Sequence, residues 1–172
     1  MNKFFLIILL LTAINKDNQH EIVIDSSLKT SSTHLIIKIK NKEREILKSS
    51  TNSFKSDTLL VTFSNVGKEG TAFQIKISDK IEPKLFLWSD YGQYEGKSSV
   101  ELELDEYSLI LNKDKLKLGD TLTGKIHCKS LPSKFIPNDG FIELEGDLFG
   151  IIGKLIIVRK NNSVSIIDNT KL

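Results

Sequence analysis

The sequence predicts an all-β fold, an antiparallel β-sandwich of about ten or eleven short strands. Apolar and polar residues alternate in many short runs, as they do where one face of a strand is buried and the other faces water. Turn-forming residues separate these runs, and no long helical pattern interrupts them. With 172 residues, the chain is long enough for one such domain to bury its own core.

The two clearest strands lie on either side of a loop at residues 129–140. Their predicted buried faces consist of Leu122, Gly124, Ile126 and Cys128 in the first strand and of Ile142, Leu144, Gly146 and Leu148 in the second. An antiparallel register with Ile126 opposite Ile142 sets Lys125 against Glu143, an opposite-charge pair on the solvent face. The faces do not depend on that register, because a one-residue slip would bury the carboxylates of the second strand.

The chain before residue 48 predicts a short strand from Glu21 to Asp25 and a second element over residues 34–48. The second element fits two helical turns capped by Asn41, or a hairpin turning at residues 41–42. The hairpin is favoured because one register satisfies three cross-strand pairs. These pairs are Ile37 with Ile46, Lys38 with Glu45, and Lys40 with Glu43.

A further hairpin is predicted across a turn that contains Gly67 and Gly70. Its inward residues are Leu59, Val61 and Phe63 on one strand and Phe73, Ile75 and Ile77 on the other. The serine-rich stretch from Lys48 to Asp57 is predicted to be a polar loop. Leu85 to Trp88 is predicted to be an edge strand, because the preceding Pro83 cannot donate to a ladder.

The remaining strands follow the same alternation. Val100, Leu102 and Leu104 predict a strand that a turn or a bulge at Asp105-Glu106 separates from a second run, residues 107–111. Residues 155–158 and 164–167 predict a closing hairpin around Asn161-Asn162. The run from Leu116 to Gly124 resembles the opening hairpin of many immunoglobulin-like extracellular modules. That resemblance implies an immunoglobulin-like sandwich, with a jelly-roll-like one as the alternative.

Residues 1–13 are predicted to be a signal peptide, because Lys3 precedes an apolar run from Phe4 to Leu11. That run is far shorter than the about 20 residues that span a bilayer. The end of this segment, Leu11-Thr12-Ala13, resembles the leader of a bacterial lipoprotein, but Ile14 stands where the acylated cysteine would be. We therefore expect export without a lipid anchor or membrane span, a disordered lead-in at residues 14–20, and one domain over residues 21–172.

The charge balance argues against a polyanionic partner. Lysine and arginine total 24 against 22 acidic residues, and Arg44 and Arg159 are the only arginines. Nucleic-acid binders carry a basic surface and favour the forked guanidinium, so no nucleic acid is expected as a partner. The single cysteine, Cys128, excludes an internal disulfide.

The sequence offers little for catalysis or metal binding. His127 and Cys128 are adjacent, but strand alternation sends them to opposite faces, so they cannot form a thiol–imidazole pair. We expect Cys128 to be buried and inert. Two acidic stripes, Glu101–Glu103–Asp105 and Glu143–Glu145–Asp147, suit a hydrolase or a calcium site but are more typical of solvent-facing strand residues. We expect no metal and no cofactor.

The segment from Trp88 to Ser99 departs from the composition of a plain connector. Trp88, Tyr91 and Tyr94 stand among serine, glycine and other short polar residues. Aromatic faces beside short polar groups suit sugar rings or a protein partner, so these three residues are the candidate ligand site. The favoured alternative is that Trp88 and Phe86 pack over the core, since tryptophan is usually largely buried.

These observations favour an exported, non-catalytic β-sandwich module of a bacterial envelope. Its expected location is the periplasm, the cell surface or the extracellular space, and its expected partner is a glycan or an envelope protein. Two alternatives follow from the same residues. One is a carbohydrate-binding module that uses Trp88, Tyr91 and Tyr94. The other is a hydrolase that uses carboxylates between Glu101 and Asp105.

Overall fold

The described part of the chain consists of strands and their connections. A computed structural model describes residues 20–39, 42–47, 49–55, 57–64, 67–153, 155–160 and 163–168. The predicted signal peptide and most of the predicted lead-in lie outside these residues. The strands are β1 (His20–Ile24), β2 (His34–Ile39), β3 (Lys42–Leu47), β4 (Ser49–Lys55), β5 (Thr58–Ser64), β6 (Glu69–Ile77), β7 (Ile81–Ser89), β8 (Ser99–Leu102), β9 (Leu104–Leu111), β10 (Thr121–Ser130), β11 (Ile142–Ile151), β12 (Leu155–Lys160) and β13 (Ser163–Asp168).

Two sheets make up the body of this sandwich-like all-β fold. One has six strands in the order β1-β9-β10-β11-β2-β3, and the other has five in the order β4-β5-β6-β7-β8. Neighbouring strands are antiparallel except β1, which runs parallel to β9. Among the described residues, β12 and β13 pair only with each other. No described helix is long and apolar enough to cross a membrane.

Residues from both sheets contribute to one hydrophobic core, and the predicted alternation is confirmed there. Leu122, Ile126 and Cys128 of β10 are buried, as are Ile142, Leu144 and Leu148 of β11. The predicted inward residues of β5 and β6 are buried too, and Val61 pairs with Ile75 as Phe63 pairs with Phe73. The period-2 pattern therefore identifies the core-facing residues of these strands.

The register predicted for β10 and β11 is wrong, although the antiparallel pairing is confirmed. Ile126 lies opposite Gly146, and Lys125 lies opposite Asp147. The difference arises because β10 continues to Ser130, whose buried hydroxyl accepts a hydrogen bond from the Ile142 N–H at 3.0 Å. Opposite charges still face each other across the two strands, because Lys129 lies opposite Glu143 in the observed register.

The hairpin alternative for residues 34–48 is confirmed, with a shifted register. Ile36, not Ile37, lies opposite Ile46, and a bulge after Ile37 sets Lys38 opposite Glu43. Lys40 and Asn41, the latter predicted to lie in the turn, are outside the described residues. The bulge alternative is likewise confirmed at Asp105, where the register shifts between β9 and β10.

Four predicted elements are wrong. The serine-rich stretch is strand β4, an edge strand that pairs with β5 from Ser49 to Lys55. Strand β7 is an interior strand, because β6 pairs with it on one side and β8 pairs with its second half on the other. Pro83 lies before that second half, so it has a neighbouring strand on one side only and its missing N–H breaks no ladder on the other. Leu116 to Asp120 is a loop before β10 and not a strand. His20, expected in the lead-in, is the first residue of β1.

Candidate functional site

The connection from β7 to β8, residues 90–98, is here called the aromatic loop, and hydrogen bonds hold it in a defined shape. The Ser89 N–H donates to the Ser98 carbonyl at 2.7 Å, which closes the base of the loop. The Asp90 N–H donates to the Lys68 carbonyl at 2.7 Å, and the Gly96 N–H donates to the Gly92 carbonyl at 3.1 Å. These bonds tie the loop to itself and to the residue that precedes β6.

Left-handed backbone conformations make this shape possible. Gly92 and Gly96 have φ angles of 63° and 81°, and Glu95 also has a positive φ of 54°. Glycine adopts such angles at little cost, whereas a residue with a side chain is held there by its surroundings. The carboxylate of Glu95 accepts from the Lys134 ammonium at 2.5 Å, and this pair connects the aromatic loop to the loop at residues 131–141.

Tyr91 projects from the first turn of the aromatic loop into solvent. Its side chain is 66% exposed, the highest value among the exposed large hydrophobic residues of the described chain. Its backbone N–H donates to the Ser89 hydroxyl at 3.1 Å, which fixes the position of its Cα. The Lys68 ammonium lies 5.9 Å from the centre of its ring. Tyr91 is therefore an exposed aromatic side chain on an ordered backbone.

Tyr94 is a packing residue. Its ring meets the ring of Phe135 edge-on, with centroids 5.7 Å apart. Burial raises the pKa of the Tyr94 hydroxyl, and the Glu69 carboxylate raises it further. The Gln93 amide donates to that carboxylate at 2.8 Å. Ile136, the neighbour of Phe135 in the chain, is buried in the core.

Trp88 lies on strand β7 and not over the core, so the interpretation of Trp88 and Phe86 as core-capping residues is wrong. The buried residues of β7 include Leu85 and Ser89, and alternation turns Phe86 and Trp88 to the opposite face. Neither aromatic belongs to the hydrophobic core cluster. Trp88 is half-buried all the same, and its indole N–H is buried and has no hydrogen-bond acceptor among the described residues.

The structure thus gives each of the three sequence-predicted site residues a different environment. Trp88 lies on a sheet face, Tyr94 packs against Phe135, and Tyr91 is exposed. The polar groups around Tyr91 and Tyr94 include Lys68, which precedes β6, and Glu69, the first residue of β6. Sequence reasoning missed these two residues, because their proximity depends on the pairing of β6 with β7.

The acidic residues are distributed over the outer faces of the sheets. Glu101 accepts from the Lys84 ammonium at 2.9 Å and 3.0 Å. Glu145 accepts from Lys38 and lies 3.9 Å from Nδ1 of His127. The hydrogen bond from Lys38 lowers the pKa of the Glu145 carboxyl, whereas a general acid needs a raised pKa. In the described part of the chain, no group of three or more His, Cys, Asp or Glu residues could hold a metal ion.

His127 and Cys128 point to opposite faces, as the alternation predicts. The His127 side chain is 54% exposed, whereas Cys128 is fully buried. Burial raises the pKa of the Cys128 thiol to about 12, so the thiol stays protonated at neutral pH. His127 borders a shallow polar groove of about 150 Å³, together with Glu21, Glu106, Tyr107 and Ser108. Sequence reasoning missed this groove because its lining comes from three strands.

In comparisons with known proteins, no protein-family model, no curated protein and no solved structure matches the chain.

Proposed function

We propose that the chain is an exported, non-catalytic binding module of a bacterial envelope, and that it binds a glycan at the aromatic loop. In this proposal the sandwich-like body is of an immunoglobulin-like or jelly-roll-like type. It serves as the rigid support of the aromatic loop. The segment at residues 1–13 supports export. Recognition loops commonly lie at the ends of such sheets, where the strands hold them in place.

The observation that carries this proposal is the exposure of Tyr91 on an ordered backbone. Tyr91 is 66% exposed, and the backbone hydrogen bonds of the loop hold it outward. Stacking a sugar ring on a tyrosine requires only two side-chain torsions to be fixed. Because the loop is already ordered, binding would cost little additional conformational entropy.

The polar groups near Tyr91 suit the hydroxyl groups of a sugar. Lys68 supplies an ammonium donor close to the Tyr91 ring, and Asp90 is an exposed carboxylate next to it in sequence. Two residues further along the loop, the Gln93 amide donates to the Glu69 carboxylate at 2.8 Å. A mixture of donors and acceptors beside one aromatic face favours a neutral polyhydroxylated ligand over a strongly charged one.

The test is a binding screen with a panel of soluble envelope and plant polysaccharides, read by calorimetry. We expect at least one polysaccharide to bind the wild-type protein. The Tyr91→Ala variant should weaken that binding about fivefold or more, since stacking on an aromatic ring contributes on the order of 1–3 kcal/mol. The Tyr91→Phe variant should retain it, because the aromatic face remains.

The matched control is Phe54→Ala on strand β4, since Phe54 is an aromatic residue with 44% exposure on an edge strand. Phe54→Ala should bind as the wild type does. Equal loss of binding in Phe54→Ala and Tyr91→Ala, or binding that survives Tyr91→Ala, would show that the aromatic loop is not the site.

A further inference from the structure

Strand β1 differs from the other edge strands of the two sheets. Edge strand β3 begins with the charged residues Lys42 and Glu43, β4 is mostly serine, threonine and asparagine, and β8 has only four residues. Charged residues and a very short strand protect an edge from pairing with another chain, and a polar strand offers a partner little apolar surface. Strand β1 instead carries the apolar sequence Ile22-Val23-Ile24. It is therefore the edge at which another strand would add most readily.

The apolar residues of β1 are incompletely covered. Ile22 packs against the core, but Val23 is 36% exposed and Ile24 is 45% exposed. Ile24 pairs with the buried Leu111, so it lies on the core side of the sheet and is still open at its edge. A strand placed beside β1 would cover this side chain.

The backbone phase of β1 identifies which groups face the open edge. The Asp25 N–H donates to the Leu111 carbonyl at 2.8 Å, so residue 25 directs its N–H toward β9. Backbone groups alternate in direction along a strand, and Ile22 and Ile24 therefore direct their N–H and C=O groups outward. Among the described residues, β1 has β9 as its only paired strand.

We propose that two copies of this chain associate through β1, antiparallel, about a two-fold axis at Ile22. A two-fold axis perpendicular to the sheet keeps core side opposite core side, and it passes midway between the two copies of one residue. Centred on Ile22, the register pairs Glu21 with Val23 of the second copy and His20 with Ile24. The strand is then paired along its full length, from His20 to Ile24.

Charge selects this register over its neighbours. An axis at Glu21 would place the two Glu21 carboxylates directly opposite each other. An axis at Val23 would place Glu21 opposite Asp25 of the second copy. Like charges directly opposite in a sheet are destabilising, and the register centred on Ile22 avoids both of these pairs.

The first test measures association of the purified full chain by sedimentation equilibrium. We expect a dimer at protein concentrations on the order of 100 μM, because a short strand pair buries little area. Val23→Glu should raise the dissociation constant at least about tenfold, since it sets two carboxylates opposite each other. Phe54→Glu, on edge strand β4 and 44% exposed, should leave it unchanged. A monomeric wild type, or a Val23→Glu variant that associates as well as the wild type, would overturn the proposal.

The second test checks the register with Glu21→Cys and Val23→Cys. Residues 21 and 23 would form non-hydrogen-bonded pairs, whose Cα atoms lie about 4.5 Å apart, within the range of a disulfide. Under mild oxidation each variant alone should stay uncrosslinked, and the mixture should give a disulfide-linked dimer. The native Cys128 is buried and does not compete. Equal crosslinking in each variant alone and in the mixture would contradict this register.

Discussion

The ring of Tyr94 meets the ring of Phe135 at an interplanar angle of 88° and a centroid distance of 5.7 Å. This contact joins the aromatic loop to the connection between β10 and β11, and the ion pair of Glu95 with Lys134 reinforces it. Two loops that are distant in sequence thereby support each other. Tyr94 serves to hold the loop, which leaves Tyr91 as its exposed aromatic residue.

The first prediction concerns the coupling of these two rings. Tyr94→Ala and Phe135→Ala should each lower the free energy of unfolding, and the double variant should lose less than their sum. Edge-to-face aromatic pairs contribute about 0.5–1.5 kcal/mol beyond area burial, so we expect a coupling energy in that range. Urea denaturation of the four proteins measures it. Additive losses would mean that the rings do not stabilise each other.

The second prediction concerns the close approach of β11 to β2 at Gly146. A Cβ at this position would lie 2.0 Å from the His34 carbonyl oxygen, and the φ angle of 139° disfavours any side chain. Gly146→Ala should therefore lower the free energy of unfolding by about 3 kcal/mol or more. Gly119→Ala is the control, because its added Cβ has nothing within 4 Å and only its φ of 87° is unfavourable. It should cost about 1–2 kcal/mol.

The third prediction concerns Cys128. Because the thiol is buried and its pKa is raised from 9.0 to about 12, the native protein should react with thiol reagents only as fast as it unfolds. Cys128→Ser should cost about 1–3 kcal/mol, since it leaves a hydroxyl short of partners in the core. Rapid labelling of the folded protein would contradict the observed burial.

The raised thiol pKa also predicts a pH dependence. The unfolded thiol ionises from about pH 9, whereas the folded thiol stays neutral up to about pH 12. Below pH 9 the thiol is neutral in both states, so its burial contributes fully to the free energy of unfolding. Between pH 9 and pH 12 that free energy declines by up to about 1.4 kcal/mol per pH unit. Cys128→Ala is the control. The free energy of unfolding of the wild type minus that of Cys128→Ala, measured by urea denaturation, should fall over this pH interval. A difference that is constant over this interval would count against a protonated, buried thiol.

The fourth prediction concerns Glu145. The hydrogen bond from Lys38 lowers the pKa of this carboxyl below 4.5, so the carboxylate contributes stability above that pH. The contribution is lost as the pH falls through the lowered pKa. Glu145→Gln should make the acid-side decline of stability shallower, while Glu143→Gln, at a position opposite Lys129, is the matched comparison. Identical acid-side curves for Glu145→Gln and the wild type would contradict this role.

The sequence predicted which side of each strand is buried more reliably than how the strands pair. The faces of β10 and β11 follow from local alternation, which Leu122 and Leu144 show without knowledge of any partner. Their register depends on where β10 ends, and that depends on a hydrogen bond to Ser130 that has no local signature. Strand β4 escaped prediction because its serine and threonine residues resemble a loop, and its strand conformation comes from pairing with β5.

The candidate site was predicted in part for the same reason. The aromatic and glycine content of residues 88–99 identified the loop, and Tyr91 is exposed there. The environment of Tyr94 depends on Phe135, in a different loop, and a sequence pattern does not report such a contact. The strand phase of Leu85 turns Trp88 outward, whereas the expectation of a core-packing Trp88 follows from the usual burial of tryptophan.

The most direct test of the proposed glycan site is the change in NMR chemical shifts when a polysaccharide identified by the screen is added. We expect the largest changes at the Tyr91 ring and at the backbone amides of Lys68 and residues 90–93, with little change at Phe54. Changes centred instead on the groove beside His127, or spread evenly over both sheets, would contradict it.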